Sequence, residues 1–189
     1  MPNQQGINKM QAKQSDRPKP TGRERVFAES DIIVSKTDIK GRLTYANSIF
    51  CKVGLYSELE LIGQPHSIVR HPDMPRCIFH FLWERIQSGR ELFAIVKNMA
   101  KSGDHYWVLA HVTPSFDRNG AIDGYHSNRR LPDRDAISAI EPVYARLLQI
   151  ENSNPDPRAG LRESNQALRT FLSEKGLEYD EFLFSIVKQ

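Results

Sequence analysis

Three strand-like runs separated by tight-turn dipeptides constrain this chain more than any other feature. Residues 92–99, 106–116 and 121–130 are rich in β-branched, aromatic and aliphatic side chains, and Ser102-Gly103 and Asn119-Gly120 separate them. Asn-Gly is the pair that a two-residue hairpin turn selects, because both of its central positions need a positive φ. Strands joined by such short connections run antiparallel, so the three runs read as a meander.

A second hairpin is read upstream, from residues 31–37 and 43–46 around Lys40-Gly41. Short helical segments lie between the hairpin and the meander. Asn47 can cap the first, which carries Ile49, Phe50 and Val53. Ser57 can cap the second, with Glu60 placed for a capping box. Pro72-Asp73-Met74-Pro75 opens a longer helix with Ile78, Phe79, Leu82, Trp83 and Ile86 on one apolar stripe, and Ser88-Gly89 ends it. Two strands, several helices and three further strands predict an α+β fold. Its five-stranded antiparallel sheet carries the short helices on one face, with room for a ligand between the layers.

The flanks differ in character. Residues 1–24 hold almost no large apolar groups and are expected to be a disordered tail. Residues 25–133 form the expected folded domain, and residues 134–189 a helical C-terminal extension. In the extension, 136–150 reads as a helix interrupted by Pro142. Asp156 can cap a helix over 158–175, with Gly176 as its stop, and 177–187 is a final short helix. Leu177, Tyr179, Phe182, Leu183, Phe184, Ile186 and Val187 make that terminus apolar enough to need a surface. The surface is either its own domain or that of a partner, a second copy included.

Composition narrows the function classes. A formal charge of +3 over 189 residues gives no electrostatic case for nucleic acid. The polar N-terminus lacks a signal-peptide core, and no apolar run approaches the ~20 residues of a membrane span, so a soluble cytoplasmic protein is expected. Cys51 and Cys77 offer neither a disulfide framework nor zinc-ligand spacing. With no Ser/His/Asp arrangement, phosphate loop or metal-ligand cluster, the expectation is a non-catalytic protein.

Two segments could carry binding chemistry. Arg70-His71-Pro72-Asp73 places a fixed cation, an imidazole and a carboxylate just before a helix N-terminus, where Arg70 could fork onto a phosphate. The simpler reading makes Asp73 a helix cap and leaves Arg70 and His71 solvated. Asn98 sits inside a strand; facing inward, its amide must find partners, because a buried unsatisfied amide costs roughly 1–3 kcal/mol. A flat ring with alternating donors and acceptors could supply them. Asn47 could serve such a ring from the helical side, or act only as a cap.

Residues 63–75 (GQPHSIVRHPDMP), Ile95-Val96-Lys97-Asn98, residues 101–108 (KSGDHYWV) and Gly124-Tyr125 resemble, in order and spacing, the PAS domain of bacterial aerotaxis receptors. The resemblance runs from about Ile33 to Leu148 and includes Glu141-Pro142-Val143-Tyr144. It implies a PAS fold that binds FAD non-covalently and reports redox state, with no catalytic residue. Arg70, His71 and Asp73 would hold or shape the FAD pocket, Asn47 and Asn98 would face the flavin, and Trp83 and Trp107 match family aromatics. Reduction would re-pair Asn98 or its neighbours and shift the strand against the C-terminal helices. The family's Gly-x-x-Trp-x-Gly entry to the third strand is here Gly89-Arg90-Glu91-Leu92-Phe93-Ala94, so Leu92 or Phe93 is expected to form that pocket wall. The chain also resembles split energy-taxis systems, in which a small PAS protein signals to a separate membrane chemotaxis transducer. Two alternatives share the fold: a haem-based gas sensor and a ligand-free interaction or dimerisation module. Haem needs an axial histidine, and His80 falls beside the apolar stripe. A blue-light adduct sensor needs a cysteine where His66 stands.

Overall fold

A computed structural model of the chain describes residues 18–187. Its centre is a five-stranded antiparallel sheet of order β2-β1-β5-β4-β3, built from β1 (Ile33–Asp38), β2 (Leu43–Ala46), β3 (Leu92–Met99), β4 (His105–Phe116) and β5 (Ile122–Arg130). This is the expected α+β architecture, with strand ends within two residues of those read from sequence. The β4–β5 turn forms at the predicted place, but as a three-residue loop: Asp117 N–H donates to Ala121 O at 2.8 Å across residues 118–120, and Asn119 does not take a positive φ. Gly120 takes φ +81°, and Asp117 Oδ1 accepts from the N–H groups of Asn119 and Ala121 at 2.8 and 2.9 Å.

Helices α1 (Ser48–Gly54) and α2 (Glu58–Leu61), a 3-10 turn (His66–Val69) and α3 (Arg76–Gln87) cover one face of the sheet. Ser57 and Glu60 make the predicted capping box on α2. Helix α3 starts later than expected. Pro75 occupies its N-cap and has no side-chain cap bond, and Asp73 lies outside the helix. Residues 71–74 instead make a turn in which the Met74 N–H donates to His71 O at 3.1 Å. A residue before proline is biased away from helical backbone, which disfavours an earlier start.

The C-terminal helices α4 (Arg134–Ser153), α5 (Pro157–Lys175) and α6 (Tyr179–Ile186) wrap the β3 edge and pack against α3. The expected interruption at Pro142 does not occur; α4 runs through it. Proline there removes one helical hydrogen bond. Buried anchors on both sides, Ile137 and Ile140 before it and Tyr144, Leu147 and Glu151 after it, hold the helix against the domain. The Tyr144 hydroxyl donates to Ile95 O in β3 at 2.7 Å. The apolar terminus packs on its own domain. Tyr179, Phe182 and Leu183 are buried, the Tyr179 ring lies 5.0 Å from that of Phe81, and Phe184 sits 5.0 Å from Phe93.

Of the tail expected to be disordered over 1–24, residues 1–17 lie outside the described residues, while its last residues follow a fixed path. Thr21 N–H donates to Gly103 O at 3.0 Å, His105 N–H to Arg23 O at 2.9 Å and Arg25 N–H to His105 O at 2.7 Å. Arg23 also pairs with Asp104 at 3.1 Å. Composition counts apolar burial, and this strap is held by backbone pairing instead. Gly103 admits it closely, for a Cβ there would stand 2.1 Å from Lys19 O. Among the described residues no helix is long and apolar enough to cross a membrane.

Candidate functional site

Between α3 and the sheet lies a cavity of about 240 Å3. Strand alternation turns Ser35 and Thr37 of β1, Val96 and Asn98 of β3, Ala110 and Val112 of β4, and Tyr125, Ser127 and Arg129 of β5 toward it. Phe79, Leu82, Trp83 and Ile86 roof it from α3, the stripe read from sequence. At the β1–β2 turn, Gly41 (φ +73°) lies so close to Trp83 that a Cβ would meet the indole at 2.8 Å. Trp83 in turn stands edge-on to Tyr125, with ring centroids 5.4 Å apart.

The cavity's electrostatic centre is Arg129, 4% exposed. Its Nη2 donates to Ser35 Oγ at 2.7 Å and to His66 Nε2, and its guanidinium lies 5.3 Å from the Phe50 ring. Burial and the neighbouring guanidinium push the His66 pKa down to about 3, so the imidazole is neutral and accepts. Burial draws the Arg129 pKa down to about 10, which leaves it charged at neutral pH. Among the described residues no carboxylate pairs with Arg129, and its buried Nη1 and the nearby Ser127 Oγ have no hydrogen-bond partner. A buried cation of this kind calls for an acceptor-rich or anionic ligand.

The expected site residues divide into two groups. Asn98, Arg70 and Trp83 line the cavity. Asn98 is 5% exposed and pairs through its backbone with Arg70, whose guanidinium lies 4.0 Å above the Phe79 ring. Asn47, His71 and Asp73 do not line it. Asn47 Oδ1 accepts from Phe50 N–H and Val34 N–H, each at 3.0 Å, and its Nδ2 donates to Ile32 O at 2.8 Å, so the amide is spent on capping. His71 is buried with its ring 5.9 Å from that of His105, and burial lowers its pKa to about 4. Its Nδ1 accepts from Asp73 N–H at 3.1 Å, and Asp73 pairs outward with Lys97 at 2.8 Å. Of the three, Asp73 borders a second cavity of about 320 Å3, where with Lys97 and Trp107 it faces Glu141, Tyr144 and Leu148 of α4. Phe93 also lies away from the first cavity, stacked on His111 at 4.1 Å, and neither it nor Leu92 forms a wall; Phe79, Trp83 and Tyr125 supply the aromatic lining.

Sequence reading missed Arg129, Ser35 and Ser127 as cavity residues, and noted His66 only as standing where a blue-light sensor needs its cysteine. The signal available for the three strand residues was alternation in β1 and β5, but polar residues on an inward face look the same as residues on an outward one.

The fold and this inward-facing cavity define a PAS sensor domain. Residues 43–128 match the PAS fold family. The domain is of the aerotaxis-receptor type: the chain is 41% identical to the aerotaxis receptor of Escherichia coli (strain K12) over 133 residues, 70% of this chain and 26% of the receptor. A nitrogen fixation regulatory protein of Klebsiella pneumoniae is 26% identical over 102 residues, 54% of this chain and 21% of that protein. The chain thus spans only about a quarter of the length of these relatives. Among solved structures, a light-oxygen-voltage domain studied with a flavin analogue shares the fold, with a TM-score of 0.52 and 17% identity, covering 65% of this chain and 87% of that one. An RNA-binding light-oxygen-voltage receptor gives 0.50 and 18%, covering 67% of this chain and 35% of that one.

Proposed function

We propose that this domain senses redox state, and through it oxygen or energy supply, by binding FAD non-covalently in the cavity under α3. On this reading it signals by protein–protein contact to a chemotaxis-type membrane transducer and performs no catalysis. The observation that carries the flavin is Arg129, a buried cation with an unpaired Nη1 beside the unpaired Ser127 hydroxyl. An isoalloxazine presents flat apolar area and an edge of carbonyl and ring-nitrogen acceptors. The cavity offers the matching surfaces: Phe79, Leu82 and Trp83 for the ring, and Arg129, Ser127 and Asn98 for the edge. About 240 Å3 suits a ring system, since whole-ligand sites run to roughly 300–1,000 Å3, so the dinucleotide tail would extend past Arg70 and the exposed Lys40. A bound flavin supplies electron transfer coupled to changes of charge and protonation on its ring. Haem, the alternative on the same fold, needs an axial histidine: of the two that line the cavity, His66 has its Nε2 engaged by Ser35 and Arg129, while the buried Nε2 of His126 has no hydrogen-bond partner, and His80 is turned to Glu84.

Arg129→Gln separates a ligand role from a structural one. FAD affinity, measured by equilibrium dialysis, is expected to fall at least about tenfold, the loss of a charge-assisted bond. Ligand-free stability is expected to hold, since a buried cation without a carboxylate is removed. Asn47→Ala should do the reverse, costing about 1–2 kcal/mol of stability with unchanged FAD affinity. Wild-type affinity in Arg129→Gln would contradict the assignment.

A further inference from the structure

Helix α3 roofs the cavity yet has no N-terminal cap of its own. Its cap comes from α4. Glu151, with its side chain 1% exposed, accepts from Arg76 N–H at 2.9 Å and Arg76 Nε at 3.0 Å through Oε2, and from Cys77 N–H at 2.8 Å through Oε1. The same Oε1 accepts the Ser164 hydroxyl of α5 at 3.0 Å. One buried carboxylate therefore joins three helices. The joint is tight at the backbone too: a Cβ at Gly160 of α5 would stand 2.4 Å from Glu151 O, so α4 and α5 cross here at glycine distance. The negative charge also suits the positive end of α3.

We propose that Glu151 is the coupling residue through which helices α4 and α5 read the state of the cavity. This rests on the reading that the cavity takes a ligand. A ligand contacts α3 through Phe79, Leu82, Trp83 and Ile86, and the N-terminus of the same helix is fastened to Glu151. The carboxylate has four donors and is shut off from water, so it cannot exchange them for solvent without leaving its charge unpaired. A shift of α3 along its axis then either carries α4 and α5 with it or opens the junction. Both outcomes change the C-terminal helices, and by reciprocity the state of those helices changes affinity at the cavity.

Hydrogen exchange tests this on the full chain. Two pushes on α3 are compared: saturating FAD, and Ala110→Phe, which fills the cavity from β4 without a ligand. In the wild-type background each is expected to alter exchange by at least about threefold both at residues 76–78 and along residues 147–168. In Glu151→Gln, which keeps the shape but turns an amide NH2 toward helix donors, the first response is expected to persist and the second to vanish. Should Glu151→Gln not fold, Ser164→Ala removes one donor and is expected to weaken the second response while sparing the first. Equal responses in the variant and in the wild type, or a response at 76–78 with none at 147–168 in the wild type, would overturn the coupling. If FAD does not bind, the flavin reading fails and the Ala110→Phe arm alone decides the coupling.

Discussion

His66 and His71 are buried as neutral imidazoles, with pKa values pushed down to about 3 and about 4. The unfolded chain takes up protons near pH 6.5 and the folded protein does not, so the stability these residues contribute is fully present above pH 6.5. It is lost as pH falls toward 4 and then 3. Urea unfolding of the ligand-free protein is expected to show stability falling between pH 6.5 and 4.5, by up to about 1.4 kcal/mol per pH unit for each histidine. His71→Asn keeps an acceptor for Asp73 N–H and should flatten that slope; an unchanged slope would contradict the neutral burial of His71. Single residues were legible where local chemistry acts alone: Ser57 and Glu60 box a helix because they are three apart, and Asn47 caps one. Asn98 was legible as a strand amide needing a partner, and Trp83 as part of the helix stripe. Arg129 was not, because its partners Ser35 and His66 are distant in sequence and join it only once β1 and β5 pair.

Among the elements, the strands could be read nearly residue for residue, because their ends are set by local turns such as Asn119-Gly120. The helix ends fixed by tertiary contacts could not. The cap of α3 comes from Glu151, and α4 crosses Pro142 because Ile140 and Tyr144 are both buried. Pro142 leaves that helix with one missing hydrogen bond, offset by packing on either side. Pro142→Ala should restore the bond and raise stability by about 2–2.6 kcal/mol, the helical gain of about 3 kcal/mol being reduced by about 0.4–1 kcal/mol through the greater freedom of the unfolded chain. Equilibrium unfolding checks the sign. A loss of stability would mean that a bend at Pro142 is needed to seat Ile140 and Tyr144 together.

Over the whole molecule, the sheet supplies one face to a ligand and its β3 edge to the C-terminal helices. Motif residues of the aerotaxis type serve both. Asn98, Arg70 and Trp83 border the cavity under α3, while Asp73, Lys97, Trp107, Glu141 and Tyr144 gather where α4 meets the sheet. Sequence reading assigned Arg70, His71 and Asp73 together to the cofactor, since adjacency along a chain does not say which cavity each side chain of a turn serves. Domain and extension form one packed unit: Leu168, Leu172 and Leu183 belong to the same apolar core as Ile95 and Ile78. The central claim is that a flavin occupies the cavity, and the visible absorption spectrum of the purified full chain tests it most directly. The account predicts two bands of a yellow flavoprotein that bleach with dithionite, and FAD released on denaturation. A protein that stays colourless after incubation with FAD, or one with a single intense Soret band, would contradict it.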